Sequence, residues 1–286
     1  MAEDERRRGR KKGAMAVLQY FRNVYASWID YPLREGRRLG GRYDIERFLG
    51  MGSYGLTYLC RDTEASGAEV VVKQAKPSKR ELGRRLLRRE YEMLERLRHP
   101  RIPAAYGLFE DRRCLCLVTE YIAGETVEDL IFREERRFTE EVSLRFVREL
   151  LEIVAFVHSQ EYVHLDVRIP NVMMRGGELH LIDFGLARRI GDTEGLEPFA
   201  DEETRRRRTP AAKSDLYAAG HFLLFLLYSA YRGDENSPEA GWEEELTLSE
   251  GTRTLIRRLL QEEPPYQDAA SCMADLDRVL LMLKSG

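Results

Sequence analysis

The sequence predicts an α+β fold in which a small β-rich part precedes a larger helical part. Residues 43–118 favour strands, most clearly at the β-branched run Val70, Val71 and Val72. After Gly124, apolar residues recur every three or four positions, which is the period of an amphipathic helix. The most apolar stretch, residues 216–231, is shorter than the roughly 20 residues that span a bilayer and predicts a buried core helix.

The charge balance excludes two broad classes of binding protein. The 286 residues include 46 Lys and Arg against 49 Asp and Glu, which gives a net charge of -3. This balance argues against a globally basic nucleic-acid coat and against a strongly acidic binder, so no nucleic-acid partner is expected. The chain has 4 cysteines and no CxxC pair, and they predict reduced thiols in a cytoplasmic compartment. The N-terminal residues show no convincing secretory signal.

The N-terminal region is predicted to consist of a basic tail and a helix. Residues 1–13 are polar and basic and predict disorder. Residues 14–30 predict an amphipathic helix, followed by a linker that ends at residue 40. This helix either packs against the body of the protein or contacts an anionic membrane or a partner. Its apolar face is formed by Met15, Leu18, Phe21, Tyr25 and Trp28.

The β-rich part contains a glycine motif and an unusual lysine. Strands are predicted at 43–49, 57–61 and 69–76, and an Arg-rich helix at 79–98. Residues 50–55 read Gly-Met-Gly-Ser-Tyr-Gly and lead into a strand, which favours a glycine flap over a nucleotide rather than a dinucleotide-binding turn. Lys73 ends the valine run, where it is either a surface amine on an edge strand or a cation for nucleotide phosphates.

The helical part is predicted to hold helices at 139–159, 214–231, 251–262 and 269–283, with strands and turns over 162–190. Four arginines at 205–208 predict a mobile, solvated loop, or alternatively a site for an acidic substrate or a phosphate. The threonines on either side of this run are candidate autophosphorylation sites: Thr204 and Thr209.

Two acids and an amide lie close together in the sequence of this part. Asp166 and Asn171 fall within residues 164–171, and Asp183 is followed by Phe184 and Gly185. Carboxylate and amide oxygens suit Mg²⁺, and an acid that is not a metal ligand can accept a hydroxyl proton. The alternative is two ordinary turns capped by Asp and Asn.

The ordered set of these features resembles the eukaryotic-type protein kinase family, in particular bacterial serine/threonine kinases. The resemblance covers residues 43–283. It implies a bilobal kinase domain over residues 41–286, with the N-lobe at 41–120 and the C-lobe at 121–286. It also implies Mg²⁺-dependent transfer of the γ-phosphate of ATP to Ser or Thr of protein substrates.

The resemblance also implies residue roles. Lys73 would bind the α- and β-phosphates and pair with Glu90, which fits the family spacing better than Glu92. Asp166 would be the catalytic base, and Arg168, at a position usually held by Lys, would face the γ-phosphate. The metal ligands would be Asn171 and Asp183. The nucleotide-binding residues would be Gly50, Gly52, Ser53, Gly55, Thr57, Val71, Lys73, Glu120 and Ile122, with Thr119 as gatekeeper.

Several positions depart from the family pattern. Leu165 replaces the Arg that usually receives an activation-loop phosphate, so that route of switching is not expected. Val71 and Thr57 predict a narrower and more polar adenine pocket. Glu203 lacks the preceding Ala-Pro of the family, and Gln267 stands where its usual Arg partner is expected. These departures keep two alternatives open: a small-molecule phosphotransferase, and a nucleotide-binding pseudokinase scaffold.

Overall fold

The computed structural model describes residues 30–52, 54–196, 198–232 and 240–285. Contacts divide the chain into two compact units, one formed by Met1–Tyr91 with Ala105–Tyr121 and the other by Glu92–Ala104 with Ile122–Gly286. The first unit ends at Tyr121, one residue beyond the predicted end of the N-lobe at residue 120. Residues 92–104, which lie within the predicted N-lobe, belong to the second unit. The predicted tail, residues 14–29 of the predicted N-terminal helix, and Ser53 lie outside the described residues.

The first unit is built on an antiparallel sheet in the order β1-β2-β3-β4-β6-β5. Its strands are β1 (Arg38–Leu39), β2 (Tyr43–Met51), β3 (Gly55–Asp62), β4 (Ala68–Ala75), β5 (Ala105–Asp111) and β6 (Cys114–Glu120). Alternation along β4 sends Val70 and Val72 into an apolar core with Tyr58, while Val71 and Lys73 point to the opposite, partly exposed face. After the 3-10 turn Pro77–Lys79, helix α1 runs over Arg80–Arg96.

Residues 30–40, predicted as the end of a helix and a linker, are bound to this sheet. The Asp30 carboxylate accepts the backbone N–H of Ser78 at 2.9 Å, and the Leu33 N–H donates to the Tyr58 hydroxyl at 3.1 Å. Arg37 forms an ion pair with Asp111 at 2.9 Å, and β1 pairs with β2. Turn glycines and short polar contacts carry no apolar period, which is why the sequence does not predict this attachment.

The second unit is mainly helical. Its helices are α2 (Val127–Phe132), α3 (Glu140–Ser159), α4 (Glu202–Arg208), α5 (Ala212–Tyr228), α6 (Trp242–Glu245), α7 (Glu250–Leu259) and α8 (Ala269–Ser285). Short strands complete it: β7 (Glu125–Thr126), β8 (Tyr162–Val163), β9 (Val172–Arg175), β10 (Glu178–Leu181) and β11 (Arg188–Arg189). They form antiparallel sheets in the orders β10-β9-β7 and β11-β8. A β-rich unit and a helical unit agree with the predicted fold class.

Helix α3 shows why the long helices were predictable. The Thr139 hydroxyl caps its start by accepting the Val142 N–H at 3.4 Å. Its apolar residues recur at helical spacing and are fully buried, as at Val147, Leu150 and Val154. Helix α5 is likewise a core helix, and among the described residues no helix is long and apolar enough to cross a membrane.

The prediction of a loop for the four arginines is wrong, because residues 202–208 form helix α4. The Asp201 carboxylate accepts the Thr204 N–H at 2.6 Å and caps the helix. Glu202 pairs with Arg205 at 2.6 Å, and Glu203 pairs with Arg207 at 2.7 Å. These pairs, three and four residues apart, offset the repulsion that a run of like charges produces on its own.

Candidate active site

The glycine motif forms the turn between β2 and β3. The Gly52 N–H donates to the Gly55 carbonyl at 2.9 Å and closes the turn. A Cβ on Gly55 would lie 3.2 Å from the Gln74 carbonyl oxygen and 3.4 Å from the Cγ of Lys73. Glycine at position 55 therefore lets the turn lie close to Lys73. At Gly50 a Cβ would meet nothing within 4 Å, so packing within the protein does not require glycine there.

Lys73 pairs with Glu90 of helix α1. The Lys73 Nζ lies 2.8 and 3.0 Å from the two carboxyl oxygens of Glu90, whose side chain is only 5% exposed. Glu92, the competing choice in the sequence, is exposed. Two residues along a helix turn a side chain by roughly 200°, so only one of these glutamates can face β4. The lysine is thus a partly buried ammonium rather than an edge-strand surface amine.

The residues predicted around the adenine share the face of the sheet that carries Lys73. Thr57 lies opposite Lys73 on the neighbouring strand, and Val71 lies opposite Thr119. Strand β6 ends at Glu120, and the chain passes into the second unit between Tyr121 and Ile122. The predicted nucleotide-binding residues of the first unit thus follow one another across three adjacent strands.

In the second unit, Asp166 is held by its sequence neighbours. The amide nitrogen of Asn171 donates to the Oδ2 of Asp166 at 2.7 Å and to its backbone carbonyl at 2.9 Å. The Arg168 Nε lies 3.2 Å from the same Oδ2, and its side chain is 60% exposed. The 3-10 turn Ile169–Asn171 brings the amide back to the carboxylate. The sequence predicted this cluster, and the turn explains the spacing of its members.

A buried histidine joins this segment to the one that carries Asp183. The His164 Nδ1 accepts the Asp166 N–H at 3.2 Å, so the other ring nitrogen carries the hydrogen and donates to the Ile182 carbonyl at 3.1 Å. Complete burial lowers the pKa of His164 and keeps the ring neutral. The ring also meets Phe184 edge-on at 4.6 Å, which fixes the residues on both sides of Asp183.

Asn171 and Asp183 are suited to a divalent cation. The Ile182 N–H donates to the Asn171 carbonyl at 2.9 Å, which places the two segments side by side. Because the Asn171 amide nitrogen is committed to Asp166, the amide oxygen is the atom left to bind a cation. No group of three His, Cys, Asp or Glu side chains fit to hold a metal occurs in the described part of the chain. A pair of hard oxygen ligands fits Mg²⁺, which takes its other ligands from phosphate and water.

Asp215, which was not among the predicted site residues, holds the turn before Asp166. Its fully buried carboxylate accepts the N–H groups of His164 at 2.8 Å and Leu165 at 2.7 Å, and lies 2.9 Å from the His158 Nε2. Burial alone would raise the pKa of Asp215, but these hydrogen bonds, first that of His158, bring it below its ordinary value. Leu165 has a φ of 60°, a left-handed conformation that is unfavourable for a leucine.

Arg208, at the end of α4, was also missed. Its Nη1 donates to the Leu165 carbonyl at 2.6 Å, and its Nη2 lies 3.4 Å from the Oδ1 of Asp166. The run of four arginines pointed to this region, but nothing in the run distinguishes the fourth arginine from the others. Glu203, predicted to lack its usual partner, pairs within α4 and is exposed.

Comparison with known proteins identifies the family. The protein kinase domain family matches residues 43–270. The probable serine/threonine-protein kinase YbdM of Bacillus subtilis is 38% identical over 254 residues, which cover 88% of this chain and 94% of the relative. Serine/threonine-protein kinase B of Synechocystis is 31% identical over 253 residues, and the match covers 78% of this chain but only 44% of that protein.

A solved structure supports the fold independently. A crystal structure of a kinase domain matches with a TM-score of 0.58 at 17% identity, and covers 69% of this chain and 67% of its own. At this identity the match concerns the fold alone, and it agrees with the β-rich and helical units described above. The family predicted from the sequence is confirmed: the chain belongs to the protein kinase family and is a serine/threonine protein kinase.

Proposed function

We propose that the chain transfers the γ-phosphate of ATP, with Mg²⁺, to Ser or Thr hydroxyls of protein substrates. The observation that carries the proposal is the buried pair of Lys73 and Glu90. A lysine held against a buried carboxylate keeps a cation at a fixed position, as phosphate binding requires. The family match and the cluster around Asp166 support the same reaction.

Asp166 is proposed as the catalytic base. Asn171 and Arg168 hold its Oδ2, which leaves Oδ1 to accept the proton of the acceptor hydroxyl. A carboxylate fixed in this way orients the hydroxyl before transfer and needs no rearrangement during it. The exposed guanidinium of Arg168 is proposed to bind the γ-phosphate, and Lys73 the α- and β-phosphates.

Asn171 and Asp183 are proposed to hold Mg²⁺ through the amide oxygen and the carboxylate. The ion, when bound, supplies positive charge to the phosphate oxygens. The buried His164 keeps both segments in place without contributing a charge, because its ring is neutral.

The nucleotide itself is proposed to lie against the first unit. The open space around Gly50 supports contact between the glycine turn and phosphates. We assign to this turn Gly50, Gly52, Ser53 and Gly55. Thr57 and Val71, on the face that carries Lys73, would contact the adenine, and the backbone of Glu120 and Ile122 would bind its edge.

The cysteines bear on the compartment in which the chain works. Cys60, Cys116 and Cys272 are buried, unpaired thiols, and burial raises the pKa of Cys60 and Cys272 to about 12. Inert free thiols support a reducing, cytoplasmic location. We propose that the kinase domain spans residues 41–286 and that residues 14–29 either pack against the body of the protein or contact a membrane or a partner.

The test is a transfer assay with γ-labelled ATP, Mg²⁺ and a generic protein acceptor. Wild type should label the acceptor or itself on Ser or Thr, whereas Asp183→Ala and Asp166→Asn should lose at least about 1,000-fold in rate while keeping a folded circular-dichroism spectrum. Asp277→Asn on α8, a half-exposed carboxylate, is the matched control and should keep the full rate. Wild-type rates in Asp183→Ala would refute the assignment, and label found only in a panel of metabolites would favour a small-molecule acceptor.

A further inference from the structure

The backbone of Leu165 is held at its N–H and at its carbonyl group by residues distant in sequence. On one side, the Leu165 N–H donates to the buried Asp215 carboxylate at 2.7 Å. On the other side, the Leu165 carbonyl accepts the Arg208 Nη1 at 2.6 Å. Leu165 itself is left-handed, a conformation that a leucine keeps only when its surroundings impose it. The two contacts are therefore the means by which this backbone is imposed.

Arg208 is the arginine of α4 that reaches this backbone. Arg205 and Arg206 form ion pairs with Glu202, and Arg207 forms one with Glu203, all within the helix. At the end of the helix, the Thr209 hydroxyl donates to the Arg205 carbonyl at 2.6 Å and fixes the backbone next to Arg208. The guanidinium of Arg208 thus starts from an ordered helix terminus.

The second arm of the guanidinium faces the carboxylate of Asp166. Its Nη2 lies 3.4 Å from Oδ1, which is beyond a good hydrogen bond but within an ion pair. Oδ2 is already bound by Asn171. Arg208 therefore places charge beside Oδ1 without occupying the lone pair that an acceptor hydroxyl would need.

We propose that Arg208 is a positioning residue of the kinase. Its two arms fix the Leu165–Asp166 peptide and the orientation of the Asp166 carboxylate, and so tie helix α4 to residues 164–166 by a direct contact that involves no phosphate. This proposal rests on the function proposed above, in which Asp166 is the base. It assigns to the arginine run a role other than binding an acidic substrate or a phosphate.

The test compares Arg208→Ala and Arg208→Lys with the matched control Arg207→Ala. Arg208→Ala should lower kcat by about 10- to 100-fold, because a carboxylate displaced by about 1 Å loses that much rate. KM for ATP should stay within about twofold, since Arg208 touches no proposed nucleotide-binding residue. Arg208→Lys keeps the charge on a single nitrogen and should fall between Ala and wild type, and Arg207→Ala should match wild type in both constants.

Three results would overturn the proposal: wild-type kcat in Arg208→Ala, an equal loss in Arg207→Ala, or a rise in KM for ATP that accounts for the whole loss. If Arg208→Ala does not fold, a wild-type kcat in Arg208→Lys would overturn the proposal, because the two guanidinium contacts would then not be needed. Hydrogen exchange over residues 162–171 tests the contact between Arg208 and Leu165 independently of turnover. It should quicken in Arg208→Ala and not in Arg207→Ala, and unchanged exchange would refute the contact even if wild type transfers no phosphate.

Discussion

Asp215→Asn removes the charge that organises the turn before Asp166 and changes almost nothing in size. The carboxylate accepts the His164 N–H on one oxygen and the Leu165 N–H on the other, at 2.8 and 2.7 Å. An amide has one oxygen, so in either orientation its NH₂ group faces a buried N–H donor. One backbone donor is left without a partner, and the other loses its charge-assisted bond.

The expected cost follows from these two losses. An unsatisfied buried donor costs about 1–3 kcal/mol, and replacing a charged acceptor by a neutral one costs about 1 kcal/mol more, so the free energy of unfolding should fall by about 2–4 kcal/mol. The phosphate-transfer rate should fall as well, because the strained Leu165 is then free to relax and move Asp166.

Urea denaturation followed by far-UV circular dichroism measures this loss. Asp277→Asn is the control, since that carboxylate is 49% exposed and pairs with Arg148 at 2.9 Å. A pair with this much access to solvent should contribute about 1 kcal/mol or less. A loss in Asp215→Asn as small as that of the control would refute the assigned role of the buried carboxylate.

Three further predictions concern the ion pair, pH and phosphorylation. Glu90→Gln should lower the transfer rate by at least about 10-fold, because it removes the charge that pairs with the Lys73 ammonium. Glu92→Gln should keep the wild-type rate, and equal rates in the two variants would contradict the pairing. Burial lowers the pKa of three histidines in the folded chain, so the unfolded chain binds their protons first as pH falls. The stability that depends on their neutral form is therefore fully present above about pH 6.5. It is lost as pH falls below that value, by up to roughly 1.4 kcal/mol per histidine per pH unit. They are His99, His164 and His221. Urea midpoints at pH 7.5, 6.5 and 5.5 measure this loss, and His99→Gln should reduce it; a flat profile would count against buried neutral rings. Because Leu165 stands where a phosphate-binding arginine is usual, phosphatase treatment should leave kcat within about twofold, and a large loss would show that loop phosphorylation activates the enzyme.

Much of the fold was predictable because local patterns decide it. The helix predicted at 139–159 is observed at Glu140–Ser159, and the strand predicted at 69–76 is observed at Ala68–Ala75. Apolar periods of 3.6 and 2 residues carry that information within one element. The preference for Glu90 over Glu92 came from the resemblance to the kinase family, and the structure shows that pairing. The roles proposed for the site residues remain predictions.

Other features depended on how distant segments pack. A loop is predicted where helix α4 forms, because four neighbouring arginines repel one another unless a cap and two glutamates offset the repulsion. Each of these contributions is small, and together they decide that the helix forms. Residues 30–40 join the sheet through single polar contacts, which leave no periodic trace in the sequence.

By itself, the sequence determined the order of elements, the family and the set of chemical groups. The tertiary structure decided what holds those groups. Asp215 binds the Leu165 N–H across 50 residues, and Arg208 binds the Leu165 carbonyl across 43 residues. A residue's own segment fixes its secondary structure, but contacts over such separations depend on which helix ends the fold brings together, and a single sequence does not encode that as a local pattern.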